Sequence, residues 1–268
     1  MQDLKIAYIQ ADLLWENPLA NRIAFEKKIY GLSENVDLIV LPETFTTGFP
    51  VDPNQFAETK EGETIAWMSN IASTTNTVVC GSFLMKKEDK FFNSFVWMRP
   101  DGTFETYDKR HVFRMGGEHK HIEPGKILLH TELKGWKIRP LICYDMRFPV
   151  WSRNRYQNDI FDFDLLIYVA NWPAVRAYPW KQLIIARAIE NQCFVLGVNR
   201  IGSDFQGNNY SGDSCLIDPK GNIVSMATPA VEEVKIAKLV AGDLLQFREN
   251  FQVGLDWDNF LLNNSLQL

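Results

Sequence analysis

An α/β fold in one domain, its sheets covered by helices, follows from this 268-residue sequence on three grounds. Apolar runs of strand length alternate with amphipathic text of helical period. Hairpin signals interrupt that alternation, so the sheets are mixed rather than purely parallel. No Pro/Ser-rich linker, low-complexity tract or fixed-period repeat divides the chain.

The elements follow in order. Lys5 to Ile9 reads as a first strand. Over positions 20–32, Ile23, Phe25, Ile29 and Leu32 recur at helical spacing between charges. Asp37 to Leu41 is a continuous apolar run, as expected of a strand covered on both faces. Ile65 to Ala72 reads as helix. Val78–Met85 and Phe91–Met98 flank Lys86-Lys87-Glu88-Asp89-Lys90 as a hairpin with a charged turn, and Pro100-Asp101-Gly102 marks a turn before a strand at Phe104–Tyr107. Trp136 to Cys143 is a strand in which Pro140 removes a ladder donor and implies an edge or a bulge. Asp164 to Val169 repeats the pattern of 37–41, Gln182 to Gln192 is a helix, and Phe194 to Val198 a strand. Asp218-Pro219-Lys220-Gly221 closes a further hairpin.

Composition narrows the function classes. The formal net charge is −5, which offers no basic footprint for nucleic acid and no polybasic patch for a membrane surface. Hydrophobic residues at 46% exclude a disordered chain. The run Leu165–Ala170 is far shorter than a membrane helix requires, and the N-terminus lacks the pattern of a secretory signal. A soluble, acidic, cytoplasmic protein is the expectation. Cys80, Cys143, Cys193 and Cys215 show no C-x-x-C spacing, which disfavours thiolate zinc sites. Cys80, Cys193 and Cys215 lie in apolar strand text and read as core filler. Cys143 instead ends an apolar run and is followed by the polar turn Tyr144-Asp145-Met146-Arg147, where a nucleophile is accessible.

Glu43 and Lys109 also end strand-like runs. Alone, each reads equally as a solvated charge. Together, Glu, Lys and Cys at three strand ends suggest one crevice, because strand ends on one edge of a sheet converge.

The words around these residues, Leu41-Pro42-Glu43-Thr44-Phe45-Thr46-Thr47-Gly48-Phe49, Tyr107-Asp108-Lys109-Arg110-His111 and Leu141-Ile142-Cys143-Tyr144-Asp145-Met146-Arg147-Phe148-Pro149, resemble the nitrilase, or carbon–nitrogen hydrolase, superfamily. The likeness spans roughly residues 4 to 245. Met115-Gly116-Gly117-Glu118-His119 and the Phe-Thr-Thr-Gly-Phe word bring it closest to the bacterial omega-amidases. This resemblance implies a four-layer αββα sandwich that commonly pairs as a homodimer or higher homo-oligomer. It implies a Glu43–Lys109–Cys143 triad acting through a thioester, with Glu118 as a second glutamate and the Tyr144 backbone N–H as an oxyanion donor. The implied substrate is a 2-oxo-dicarboxylate monoamide such as 2-oxoglutaramate, hydrolysed to acid and ammonia without metal or organic cofactor. Arg147 could meet a substrate carboxylate or pair with a structural acid. Trp172 could wall the pocket or cap the core, and Arg110, Arg114 and Arg176 are further possible carboxylate partners.

Other readings stay open at this stage. Relatives use the same triad on nitriles or N-carbamoyl groups. His111, His119, His121 and His130 fall in one loop-like window that permits a metal-dependent hydrolase, although no H-E-x-x-H pattern is present. A non-catalytic binding protein could keep the fold. Residues 250–268, with Phe251, Leu255, Trp257, Phe260, Leu261 and Leu262, form a C-terminal tail too apolar for water, expected to pack over the core or across a subunit interface.

Overall fold

The computed structural model describes residues 1–49 and 52–262. The first half of the chain forms strands β1 (Leu4–Gln10), β2 (Leu38–Val40), β3 (Val78–Lys87), β4 (Lys90–Met98) and β5 (Phe104–Asp108), with helices α1 (Pro18–Tyr30) and α2 (Glu63–Thr75). Next come β6 (Thr131–Leu133), β7 (Trp136–Ile142), the two-residue strands β8 (Tyr156–Gln157) and β9 (Ile160–Phe161), then β10 (Leu165–Ala170), α3 (Ala177–Asn191) and β11 (Phe194–Asn199). The ribbon β12 (Ile201–Ser203) and β13 (Asn209–Ser211), then β14 (Cys215–Ile217), β15 (Ile223–Met226), β16 (Glu233–Leu239) and α4 (Ala241–Asn250) complete the order.

Two mixed six-stranded sheets result, one ordered β16-β1-β2-β3-β4-β5 and the other β15-β14-β11-β10-β7-β6. Strand periodicity divides the first sheet between two cores. Ile6, Tyr8, Leu38, Val40, Phe95 and Trp97 face the second sheet, where β1 lies against β11 and β4 against β7. The alternate residues Ala7, Ile9, Ile39, Val79 and Val96 pack on Phe25 and Ile29 of α1 and on Met68, Ile71 and Ala72 of α2. On the far side, α3 covers the second sheet through Trp180, Ile184 and Ala188. Gly197 permits that approach, because a Cβ there would lie 2.2 Å from Ile184 Cδ1 and 2.8 Å from Trp180 Cζ2. The fold is therefore the four-layer αββα sandwich. β10 and β11 are buried along their whole length, which explains their unbroken apolar text.

Pro140 meets the edge alternative of the expectation, but only locally. β7 is flanked by both β10 and β6, and its register against β10 carries no bulge. β6 pairs only as far as Ile138, so at Pro140 the outer side of the strand is free and a missing donor costs nothing there.

In the tail, the Trp257 ring packs edge-on to Phe161, with centroids 5.6 Å apart, and carries the Arg153 guanidinium 4.3 Å from its centre. Gln192 Nε2 donates to the Phe251 carbonyl at 2.7 Å. Residues 263–268 lie outside the described residues.

Candidate active site

Glu43 follows β2 on a segment laid across β3. Leu41 N donates to Cys80 O at 2.7 Å, and Phe45 N to Ser82 O at 3.0 Å. Gly81 makes room, since a Cβ would come 2.8 Å from Leu41 Cβ. The Glu43 side chain is fully buried, so every lone pair needs a donor. Lys109 Nζ supplies one to Oε1 at 2.8 Å and Asn93 Nδ2 another at 2.9 Å, while the Asn171 backbone N–H donates to Oε2 at 2.6 Å. Asn171 Nδ2 also donates to the Glu43 carbonyl at 2.8 Å, which fixes the segment from the opposite sheet.

Lys109 leaves the end of β5, with its backbone N–H donating to Asn93 O at 2.9 Å. Its ammonium lies between two carboxylates, Glu43 at 2.8 Å and Glu118 at 3.0 Å. Glu118 starts a short 3-10 turn and accepts the Phe113 N–H at 2.5 Å.

Cys143 is not the last residue of a strand. It begins a 3-10 turn, Cys143–Arg147, with φ of +44°. A β-carbon-bearing residue in the left-handed region is strained, and such strain persists only where surrounding structure over-determines it. Asp145 supplies that determination. Fully buried, it accepts from Ile142 N at 3.0 Å, Tyr107 OH at 2.7 Å and His111 N at 2.9 Å, with His111 Nδ1 at 2.8 Å. One carboxylate thus ties the cysteine turn to the loop that carries Lys109. The Tyr144 N–H lies in the first turn of this helix, where amides have no intrahelical acceptor.

The charges are strongly coupled. Burial alone would lower the Lys109 pKa, but Glu118 and Glu43 outweigh it and hold the ammonium above its ordinary range. Burial pushes the Glu118 carboxyl up, a rise that Lys109 opposes and Glu43 reinforces. Burial also pushes the Cys143 thiol well above its usual range, Glu43 adds to the rise, and Lys109 works against it. Burial and Glu43 thus favour the neutral thiol beside a carboxylate, an arrangement suited to proton transfer.

Glu43, Lys109 and Cys143 line one cavity of about 180 Å³ together with Tyr144, Arg147, Asn171 and Trp172. Arg147 pairs with no structural acid among the described residues; its guanidinium stands 4.9 Å over the Trp172 ring. Trp172 does both things the sequence left open, lining the cavity while buried against Trp180. Arg176 also reaches the cavity. Arg110 instead donates to Gly125 O at 3.1 Å, and Arg114 is exposed; neither lines the cavity. Among the described residues no three His, Cys, Asp or Glu side chains group as a metal site. Asn93, Asn171 and Asp145 escaped the sequence reading as site residues. For Asn93 and Asn171 the textual sign was a polar residue inside, or one step beyond, an apolar strand, and Asp145 stood in the polar turn after β7.

A family model described as carbon-nitrogen hydrolase matches residues 5–249. The chain belongs to that family. Among carbon–nitrogen hydrolases it is 43% identical to the omega-amidase YafV of Yersinia enterocolitica over 98% of this chain and 100% of that one. It is 34% identical to the 2-oxoglutaramate amidase of Bacillus subtilis, covering 82% of this chain and 85% of the relative. The crystal structure of XC1258 from Xanthomonas campestris, a CN-hydrolase superfamily protein with an arsenic adduct in its active site, superposes with a TM-score of 0.96 at 42% identity, covering 98% of this chain and 100% of that one. As a member of this family the protein is a hydrolase of carbon–nitrogen bonds.

Proposed function

We propose that the protein is an omega-amidase that hydrolyses the terminal amide of a small 2-oxo-dicarboxylate monoamide, of the 2-oxoglutaramate kind, through a cysteinyl thioester. The observation that carries this reading is the Lys109 ammonium bridging Glu43 and Glu118 at the floor of the cavity that Cys143 enters. Glu43 takes the thiol proton as Sγ bonds to the amide carbon. The carbonyl oxygen, now anionic, accepts from Lys109 Nζ and the Tyr144 N–H; one such donor is typically worth ~3 kcal/mol in the transition state. The C–N bond then breaks, and Glu43 returns its proton to nitrogen, so that ammonia leaves and a thioester remains. Water gives a proton to Glu43 and attacks the thioester, the C–S bond breaks, and the sulfur recovers its proton. Glu118 keeps Lys109 aimed at the oxyanion.

The small cavity, below the ~300–1,000 Å³ of drug-sized ligand sites, favours a short substrate. Arg147, without an acidic partner and backed by Trp172, serves its distal carboxylate. The names of the relatives point to the same substrate class. Four free cysteines, the nucleophilic Cys143 among them, suit the reducing cytoplasm. Exposed apolar residues on α3 and the tail, including Tyr178, Ile189 and Leu255, support association into a homodimer.

Acid-quenched turnover mixtures examined by intact mass test the chemistry. A single acyl adduct on Cys143 is expected with 2-oxoglutaramate, and none with Cys143→Ala. Ammonia release by the Cys143→Ala protein at the wild-type rate overturns the reading. A preference for aliphatic nitriles or N-carbamoyl amino acids would replace the substrate while leaving the thioester intact.

A further inference from the structure

We propose that Arg176 is a specificity-determining residue, a second guanidinium that joins Arg147 in binding the distal carboxylate, so that the outer cavity is built for an amide carrying one negative charge. The proposal rests on the amide-hydrolase reading of the same cavity. Arg176 ends the short turn Ala174–Arg176 that leads into α3. The two arginines share one aromatic support. Trp172 carries the Arg147 guanidinium over its face at 4.9 Å, and its Nε1–H donates to the Arg176 carbonyl at 2.7 Å. The Arg176 guanidinium in turn lies 5.4 Å over the ring of Phe113, on the cavity wall.

The other half-buried or buried arginines of this chain show what such groups ordinarily do. Arg22, Arg139, Arg187, Arg200 and Arg248 are each paired with a carboxylate, and Arg110 and Arg153, which also lie over aromatic rings, each spend a donor on a backbone carbonyl. Arg147 and Arg176 have no such partner among the described residues, and both face the cavity. Aromatic faces leave all the N–H donors of a guanidinium unspent, and a planar fork of donors fits a carboxylate in two-point fashion.

One acidic side chain, Asp204, also lines this part of the cavity. Its oxygens are already occupied. They accept from Gln206 N, Asn208 N, Asn208 Nδ2 and Tyr210 OH at 2.8–2.9 Å, contacts that build the turn between β12 and β13. Asp204 therefore offers little to a substrate ammonium group. Two cations against one anion leave a single positive charge in the outer cavity, which one substrate carboxylate neutralises.

The test compares glutaramate with pentanamide, the neutral amide of the same chain length, on the full-length protein, using wild type, Arg176→Gln and Arg176→Lys. Charge-assisted hydrogen bonds are strong enough that losing Arg176 should lower the ratio of kcat/KM, glutaramate over pentanamide, by about tenfold or more. The loss should fall mainly in KM. Arg176→Lys should recover part of the ratio, and added salt should erode the wild-type ratio more than that of Arg176→Gln. A fall in both activities that leaves the ratio unchanged would mean that Arg176 only supports the wall, and the proposal fails. A wild-type ratio near one also overturns it, yet the amidase reading survives because turnover is still seen. No turnover of any amide removes the amidase reading itself.

Discussion

Cys143 sits beside a carboxylate rather than an imidazole, and that difference sets its protonation. Burial and Glu43 together raise the thiol pKa, while Lys109 works against the rise. Removing the negative charge of Glu43 while keeping the Lys109 ammonium shifts the balance the other way. In Glu43→Gln the inflection of iodoacetamide labelling at Cys143 should therefore move to lower pH than in wild type, followed by intact mass. Labelling should stop at one adduct, since Cys80, Cys193 and Cys215 are buried. An inflection that stays put would show that Glu43 does not act on the sulfur. Lys109 is the complementary case. In Lys109→Met, Glu43 and Glu118 would face each other in the interior without a cation. Breaking a buried ion pair in this way typically costs ~3–5 kcal/mol, and the oxyanion loses a donor worth on the order of 10²–10³ in kcat. Thermal melts and steady-state rates should record both losses, the stability loss being partly relieved at low pH as Glu118, which burial already pushes up, protonates. The sign follows from the charges: with no ammonium present, burial and the neighbouring Glu43 favour the protonated form of Glu118 in the folded state, so folding takes up a proton there.

At the scale of elements, the strained turn after β7 is held by Asp145, whose four donors come from β7, from β5 through Tyr107, and from the loop beyond Lys109. Asp145→Asn keeps the shape but turns one acceptor into a donor facing donors. It should cost about 2 kcal/mol in stability, because buried polar groups lose their acceptor, and should lower kcat on the order of tenfold by loosening Cys143 relative to Lys109. Equal kcat in the variant would leave Asp145 with a purely structural role. This turn shows where sequence text stops being informative. Apolar period marks β1, β2, β10 and β11 because both or alternate faces are buried. The hairpin of β3 and β4 is marked by its charged tip. The positive φ of Cys143 has no local signal, since no glycine stands there and the constraint runs through Asp145, whose partners His111 and Tyr107 lie 34 and 38 residues before it. β6, β12 and β13 are three residues each, too short to carry a period.

Across the whole molecule, the candidate site exists only where the two sheets meet. Glu43 and Lys109 belong to the first sheet and Cys143 to the second, and the Asn171 N–H to Glu43 bond crosses between them. That convergence was readable as three polar residues at three strand ends. The residues that lock it, Asn93 and Asn171, were not, because a single Asn at a strand end looks the same whether it caps a loop or holds a carboxylate. The consequence is mechanical. The sheets are joined by an apolar layer containing Trp97 and Trp136, both fully buried. In urea, loss of amidase activity, tryptophan emission and far-UV ellipticity should then follow one coincident transition. Dissociation of the sheets before unfolding would separate Glu43 from Cys143 first. Activity would vanish at a urea concentration where ellipticity is still native, and tryptophan emission would shift with it as the layer between the sheets takes in water. The inter-sheet layer would in that case be the weakest joint of the fold, and ammonia release measured beside circular dichroism in the same urea series decides between the two.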